Sequence, residues 1–297
     1  MAKENIIAFS QAHAEPEWLQ VRRQTAFDKI SELKLPLIQR VKLDRWNFGN
    51  NDITESLDSS NVPDFTNLGE NPKLIQVGTT TVFQQLSPDL ANKGVIFTDF
   101  YSALEEIPEI VEQYFGTALP FDEDKLTAYH TAYFNSAAVL YVPDNVEVNV
   151  PVEGLFYQDS DEAVPFNKHV LIIVGKHAKL SYLERFESLG KDNVKNTANI
   201  AVEVIALEGA QVKFSAIDRL GSNLTTFISR RGRLNKNAQI DWNLGVMNEG
   251  NVVADFDSDL VGEGSHAELK AVAISSGKQI QGIDTRVTNY APHSIGH

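Results

Sequence analysis

The sequence predicts a mainly β protein in which a parallel β-helix follows an α-helical N-terminal region. Helical periodicity ends near Asn135, and short runs of alternating apolar and polar residues follow it. Four of these runs share a polar turn, an alanine and then a strand, and the alanines are 32, 28 and 29 residues apart: Ala178, Ala210, Ala238 and Ala267. A repeat of this length made only of strands and turns is typical of a solenoid.

A β-sandwich or barrel is the alternative architecture for such a run of strands. Its consecutive strands pair as hairpins, and tight turns of the Asn-Gly type should then recur. The turns here are of the Glu-Gly-Ala and Lys-Asn-Ala kind, as at 208–210 and 236–238. The repeat therefore favours the β-helix, and we divide the chain into a helical and mixed region over 1–134 and a β-helix domain over 135–297.

The N-terminal region contains three segments with helical patterns. Pro16 and the spacing of the apolar residues predict a helix over 15–33. Asp99 should cap a helix over 100–115 that Pro108 kinks or splits, and Asp122 should cap another over 123–134. Residues 41–72 read as an irregular segment anchored by Trp46 and Phe65, and 74–86 as one or two strands.

Charge and composition exclude several classes of function. The chain has 26 Lys and Arg against 40 Asp and Glu, a net charge of −14, which is unsuited to nucleic acid or an anionic membrane. Its apolar stretches are too short to span a bilayer, and the first ten residues lack the pattern of an export signal, so we expect a cytoplasmic protein without a membrane partner. Zero cysteines exclude disulfides, thiolate ligands and a cysteine nucleophile.

The run Asp255, Asp257 and Asp259 is the strongest candidate for chemistry. Alternation along a strand places all three carboxylates on one face, where they could bind a hard cation or serve sugar hydrolysis or cleavage. The alternative is a surface ladder of ion pairs, because one repeat before Asp259 lies Arg230 or Arg231.

The histidines offer no second candidate. His130 has no acidic residue near it in sequence and reads as a packing or surface residue, and a break at Gly175 separates His169 from His177. His293 and His297 lie near Pro292 in a poor helix. Phosphate-binding glycine loops and the common hydrolase and zinc motifs are also missing. We therefore assign no catalytic, cofactor-binding or metal residue.

Five segments resemble the SufB/SufD family of the SUF iron–sulfur cluster assembly machinery, and the first resembles its SufD members most. They are "EPEWLQVRRQTAFDKISELKLP" (15–36), "GVIFTDFYSAL" (94–104), "HTAYFNSAAVLYVPDNVEVNVPVEG" (130–154), "NIAVEVIALEGAQVKF" (199–214) and "NYAPHSIG" (289–296). The resemblance implies a right-handed parallel β-helix and a non-enzymatic scaffold subunit, with a SufB-like subunit and a SufC-like ATPase as partners of the full-length protein. Members of the family are usually longer, so we expect the β-helix domain to be incomplete at its C-terminal end.

Three further expectations follow for this chain. Without thiolates it should bind no iron–sulfur cluster or other cofactor on its own. Its last coil, including Ile280, Ile283 and Val287, should present an unpaired edge, so we expect a homodimer in isolation. The alternative function, from a different class, is a carbohydrate-active hydrolase or lyase that uses the face of Asp255, Asp257 and Asp259.

Overall fold

Two parallel sheets wound into a solenoid form most of the protein. The computed structural model describes residues 2–48, 53–55, 61–64 and 68–297. Each coil of the chain contributes one strand to each sheet, which confirms the parallel β-helix and excludes the hairpins of a sandwich. The fifteen strands of the described chain are β1 Lys73–Val77, β2 Thr80–Gln85, β3 Ile96–Asp99, β4 Ser136–Val142, β5 Val152–Asp159, β6 Lys168–Val174, β7 Lys179–Leu189, β8 Asn196–Ala206, β9 Gln211–Arg219, β10 Leu224–Leu234, β11 Gln239–Val246, β12 Asn251–Leu260, β13 His266–Ala273, β14 Gln281–Asn289 and β15 Ile295–Gly296.

The strand order shows how the coils stack. One sheet runs β15-β13-β11-β9-β7-β5-β1-β2 and the other β14-β12-β10-β8-β6-β4-β3. Neighbouring strands are parallel except for the antiparallel pairs β1 with β2 and β3 with β4. Strands from 73–99 thus extend both sheets, so the helical and mixed region and the β-helix share their hydrogen-bonded ladders.

The predicted alanine repeat is correct for three coils and wrong for the fourth. In the ladders Lys179 pairs with Gln211, Gln211 with Gln239 and Gln239 with His266. The residues just before these four are Ala178, Ala210, Ala238 and Ser265, and all are fully buried. Ser265 therefore takes the fourth corner, where a small side chain is required, while Ala267 pairs with Ile240 further along the strand.

The helices precede the solenoid or lie between its first strands. They are α1 Ala2–Ala12, α2 Glu17–Ile30, α3 Pro88–Asn92, α4 Phe100–Glu106, α5 Pro108–Tyr114 and α6 Lys125–Tyr133, with a 3₁₀ turn over Leu43–Arg45. As predicted, Asp99 caps α4 by accepting from the backbone N–H groups of Tyr101 and Ser102, and Pro108 starts a separate helix. The sequence patterns did not identify α1 or α3.

The predicted cap of α6 is wrong by two residues. The helix begins at Lys125, and Asp124 rather than Asp122 accepts from the backbone N–H groups of Leu126 and Thr127. The Thr127 hydroxyl in turn accepts from the Asp124 backbone N–H, which completes a reciprocal capping box.

A buried arginine fixes α2 against α6. Arg23 is fully buried, binds Glu15 through Nη2 at 2.7 Å and donates from Nη1 to the Phe134 carbonyl at 2.8 Å. Its guanidinium also lies 3.7 Å from the centre of the Phe134 ring. A charged group at this depth is tolerated only because it is paired and hydrogen-bonded.

Residues 38–48 cover part of the outer face of the β14-to-β3 sheet. Ile38, Leu43 and Phe48 pack against Phe227 of β10 and Val253 of β12. Trp46, the predicted anchor, packs beside Phe48 with the two rings tilted and their centres 5.8 Å apart. The second predicted anchor, Phe65, lies outside the described residues.

Aromatic side chains are stacked along the interior of the solenoid. Tyr182, Phe214 and Trp242 lie on successive coils, with ring centres 5.2 and 4.7 Å apart. The Trp242 indole N–H donates to Ser258 Oγ at 3.0 Å, so its polar atom is satisfied in the core. No helix of the described residues is long and apolar enough to cross a membrane.

Candidate functional site

The aspartates of β12 share one face, as predicted, but their partners differ from the expected ones. The register of β10 and β12 places Arg231 opposite Asp257 and Arg233 opposite Asp259. Arg230 and Arg231 were expected opposite Asp259, and this prediction is wrong because this coil advances by 26 residues, fewer than the repeat taken from the alanines. Arg230 belongs to the opposite face of the strand and points into the interior.

Arg231 joins three carboxylates from two parts of the chain. Its Nη2 lies 2.7 Å from Glu123 Oε1 and 2.8 Å from Asp255 Oδ2, and its Nη1 lies 3.0 Å from Asp257 Oδ2. Arg286 of β14 also donates to Asp257. The ion-pair ladder therefore exists, but Glu123 from the α5–α6 connection covers it, and Asp255 and Asp257 are buried rather than displayed on the surface.

The same cluster is the group of described residues that could hold a metal ion. The carboxylate oxygens of Glu123, Asp255 and Asp257 lie within 4.8 Å of one another. Burial raises the pKa of Asp255 to about 6 against the opposing charge of Arg231. Because the Arg231 guanidinium already binds all three carboxylates, it occupies the place of a cation, and the cluster fastens the helical region to the solenoid.

Three buried side chains that are far apart in sequence form a second polar contact between the helical region and the solenoid. His130 of α6, His169 of β6 and Glu203 of β8 are 1%, 3% and 0% exposed. His130 Nε2 lies 3.0 Å from His169 Nδ1, and His169 Nε2 lies 3.0 Å from Glu203 Oε1. His130, read from the sequence as a packing or surface residue, is therefore a buried packing residue, and the carboxylate contact belongs to His169.

The hydrogen bonds of this network fix the orientation of its side chains. Glu203 accepts the backbone N–H groups of Gly116, Ala118 and Leu119 at 2.7 to 2.9 Å. His130 Nδ1 lies 3.2 Å from the Asn199 carbonyl, which only accepts, so Nδ1 carries the proton. His130 Nε2 then accepts from His169 Nδ1.

The environment of His130 agrees with a neutral ring. Burial lowers the pKa of His130 well below 6.5, and the neighbouring His169 lowers it further. The network is closed to solvent, so it has no access to a substrate. Its geometric effect is to hold the 116–119 loop and α6 against β6 and β8.

A third ionic cluster lies inside the solenoid itself. Arg230 donates to Asp218 at 2.7 and 2.9 Å and to Glu184 Oε1 at 2.9 and 3.2 Å, and all three side chains are no more than 1% exposed. The guanidinium lies between 5.6 and 5.9 Å from the ring centres of Phe186, Phe214 and Phe256. Burial raises the pKa of Glu184 to about 7, although Arg230 opposes the shift.

The sequence contained one signal for the contact between His169 and Glu203. The ladder of β6 and β8 pairs Leu171 with Glu203, an offset of 32 residues. Ala178 and Ala210 show the same offset in sequence. The same offset places His169 opposite the residue two positions before Glu203 on the neighbouring coil. The side chains of His169 and Glu203 therefore lie on the same face of the sheet. The position of His130 carries no such signal, because it depends on how α6 packs against the sheet.

Comparisons with known proteins match almost the whole chain. Residues 156–297 match the family described as "SUF system FeS cluster assembly, SufBD core domain", and residues 67–153 match "SufBD protein N-terminal region". The chain is 34% identical over 309 aligned residues to the iron–sulfur cluster assembly protein SufD of Bacillus subtilis, covering 99% of this chain and 70% of that protein.

More distant similarity extends to staphylococcal proteins. The chain is 23% identical to an iron–sulfur cluster assembly SufBD family protein of Staphylococcus saprophyticus, covering 98% of this chain and 66% of the relative. For a protein of the same description from Staphylococcus epidermidis, the identity is 24%, over 94% of this chain and 59% of the relative. The chain thus spans between 59 and 70% of the length of these three relatives.

Proposed function

Because the chain belongs to the SufB/SufD family of iron–sulfur cluster assembly proteins, we propose that it is a non-enzymatic scaffold subunit of the SUF machinery in the cytoplasm. Its partners in that machinery are a SufB-like subunit and a SufC-like ATPase. The observation that carries the proposal is the similarity to SufD over 99% of the chain.

The roles of the buried charges support a scaffold. Arg231 joins Glu123 to the β12 aspartates, and Glu203 ties the 116–119 loop to β8. Each of these ionic groups is used to hold the helical region on the solenoid. A rigid solenoid with a fixed helical region offers a constant surface for other subunits.

The absence of cysteine supports different roles for this chain and the SufB-like subunit. Iron–sulfur clusters are held mainly by cysteine thiolates, and this sequence has none. A cluster formed in the complex is cargo whose thiolate ligands come from the SufB-like subunit. This chain contributes shape and binds no cluster or other cofactor alone.

The carbohydrate-active alternative gains no support from the aspartate face. General acid and base chemistry requires carboxylates that reach the substrate. Asp255 and Asp257 are instead buried and bound by Arg231, and Arg286 adds a second cation at Asp257.

Purification from the native cell tests the proposal. The tagged chain is isolated under anaerobic conditions and the bound chains are identified by mass spectrometry, with the untagged strain as control. We expect SufB-like and SufC-like chains to be enriched with the tagged protein. Enrichment of polysaccharide or of carbohydrate-processing proteins, with no SUF subunit, would contradict the scaffold.

The last coil is the surface that we propose for self-association in isolation. Ile280 is 46% exposed there, whereas Ile283 and Val287 are partly buried and pack against the core, so the edge expected from the sequence is only partly formed by those residues. Further exposed apolar side chains lie beside it, and they are Val272, Ile274, Tyr290 and Ile295. On its outer side β14 has no strand partner among the described residues.

Sedimentation equilibrium measures this self-association. We expect a mass above the 33.0 kDa of one chain at micromolar concentration. Ile274→Lys places a charge on the exposed patch and should weaken the dimer, whereas Val21→Lys, at an equally exposed position of α2, should not; the two side chains are 57% and 55% exposed. A mass of one chain at every concentration would rule out the dimer.

A further inference from the structure

Ser136 and Lys168 face each other inside the first coils of the solenoid. The parallel ladder of β4 and β6 pairs the two residues directly, and Lys168 Nζ is hydrogen-bonded to Ser136 Oγ. The amine also contacts Gln76 Oε1 at 2.8 Å and, at the outer limit of a hydrogen bond, the Gly78 carbonyl at 3.5 Å. Lys168 is fully buried and Ser136 is 6% exposed.

The surroundings of Lys168 favour the neutral amine. Within the described parts of the chain, no carboxylate lies within ion-pair distance of its Nζ. The rings of Phe156 and Phe166, with centres 5.3 and 5.7 Å away, exclude water from it. Burial accordingly lowers the pKa of Lys168 to about 7, with a smaller opposing effect from the charge of Asp99.

The hydrogen bonds leave the lone pair of a neutral Lys168 for Ser136. A neutral amine has two N–H donors and one lone pair, and Gln76 Oε1 and the Gly78 carbonyl are both acceptors. The orientation of Gln76 is fixed, because its Nε2 donates to Thr81 Oγ1 at 3.0 Å and to the Ala137 carbonyl at 3.3 Å. The remaining lone pair is therefore available to accept the Ser136 hydroxyl proton.

An open cleft reaches Ser136. Its volume is about 230 Å³, and Ser136, Ala137 and Gln76 form part of its wall. The charged or titratable side chains that line it are His13, Glu55, Asp99 and Tyr101. The cleft is large enough for a short acyl group; Ser136 lines it, whereas Lys168 does not and is fully buried.

We propose that Ser136 and Lys168 form a nucleophilic pair that accepts a short acyl group from an activated ester. Ser136 Oγ attacks the ester carbonyl carbon and forms a new C–O bond while its proton passes to Lys168 Nζ. The bond to the alcohol then breaks, and the departing oxygen takes the proton from the ammonium group, which leaves an acyl-serine and a neutral lysine. Activation of serine by a neighbouring lysine is an established variant of nucleophilic catalysis. This reactivity goes beyond the scaffold role and does not depend on it.

The test uses p-nitrophenyl acetate with the whole chain. We expect a burst of one equivalent of p-nitrophenol and one acetyl group on Ser136 in the peptide mass spectrum. Since the neutral lysine is the base, the burst rate should rise about tenfold between about pH 6 and about pH 8. Acetylation confined to exposed lysines, or a burst without this pH dependence, would overturn the proposal.

Matched variants separate reactivity from folding. Ser136→Ala and Lys168→Met should abolish the burst. Ser265→Ala and Lys73→Met should keep it, because Ser265 is a buried serine that donates to the Gly262 carbonyl, and Lys73 is a buried lysine that donates to Leu68. Circular dichroism checks the fold of each variant. Should Lys168→Met fail to fold, Ser136→Ala, which removes one hydroxyl, decides alone, and an unchanged burst in it refutes the pair.

Discussion

Replacing Arg230 by methionine is expected to lower the free energy of unfolding by about 3–5 kcal/mol. The substitution removes the cation that binds Asp218 and Glu184 inside the solenoid, where neither carboxylate reaches water. Two carboxylates without a cation then remain in the core. Chemical denaturation at neutral pH, followed by circular dichroism, measures the loss.

An exposed arginine provides the control for Arg230. Arg185 on β7 is paired with Glu187, and its side chain is 39% exposed. Arg185→Met should therefore cost no more than about 1 kcal/mol, since solvent screens that pair. Equal losses for the two variants would mean that the interior cluster adds nothing beyond an ordinary surface pair.

The same cluster makes stability depend on pH. The pKa of Glu184 is raised from 4.5 to about 7 in the folded chain, so between these values the folded state binds more protons than the unfolded state. The contribution of Glu184 to the free energy of unfolding therefore decreases as the pH rises through this window. Glu184→Gln cannot ionise and should remove this contribution, and an unchanged pH profile would contradict the assignment.

Glu203→Ala is expected to destabilise the protein by a similar amount, about 3–5 kcal/mol. It leaves the buried His169 ring without its carboxylate partner and the backbone N–H groups of Gly116, Ala118 and Leu119 without an acceptor. Because these groups hold the 116–119 loop, hydrogen exchange in that loop should accelerate well before global unfolding.

A surface glutamate supplies the comparison for Glu203. Glu147 is paired with Lys179, and both side chains are about half exposed, at 51% and 47%. Glu147→Ala should change stability by less than about 1 kcal/mol and leave exchange at 116–119 unaltered. If Glu203→Ala behaved in the same way, the network would not be what holds the loop.

The architecture could be predicted from sequence because each coil repeats the same local requirements. Alternating strands and small corner residues such as Ala178 and Ala210 recur at nearly constant spacing, and a pattern of this kind is independent of distant contacts. The exact register could not be predicted, because β12 follows β10 by only 26 residues. A constant repeat therefore predicted Arg230 or Arg231 opposite Asp259, whereas the ladder pairs Asp259 with Arg233.

The contacts of the polar clusters with the helical region could not be predicted, for a different physical reason. Glu123 and His130 contact the solenoid because α6 packs against it. Their partners lie far along the chain, and His130 and His169, for example, are 39 residues apart. The interior position of Arg230 could not be predicted for another reason, because arginine side chains are usually exposed. Only the alternation along β10, read with the correct register, directs it into the core.

Anaerobic reconstitution with iron and sulfide tests the central claim most directly. The purified chain is incubated with iron and sulfide, desalted and examined by visible absorption, alone and together with a SufB-like subunit. A scaffold without thiolates predicts no stable charge-transfer band for the chain alone and a band only when the SufB-like subunit is present. A stoichiometric band that survives desalting in the chain alone would contradict the account.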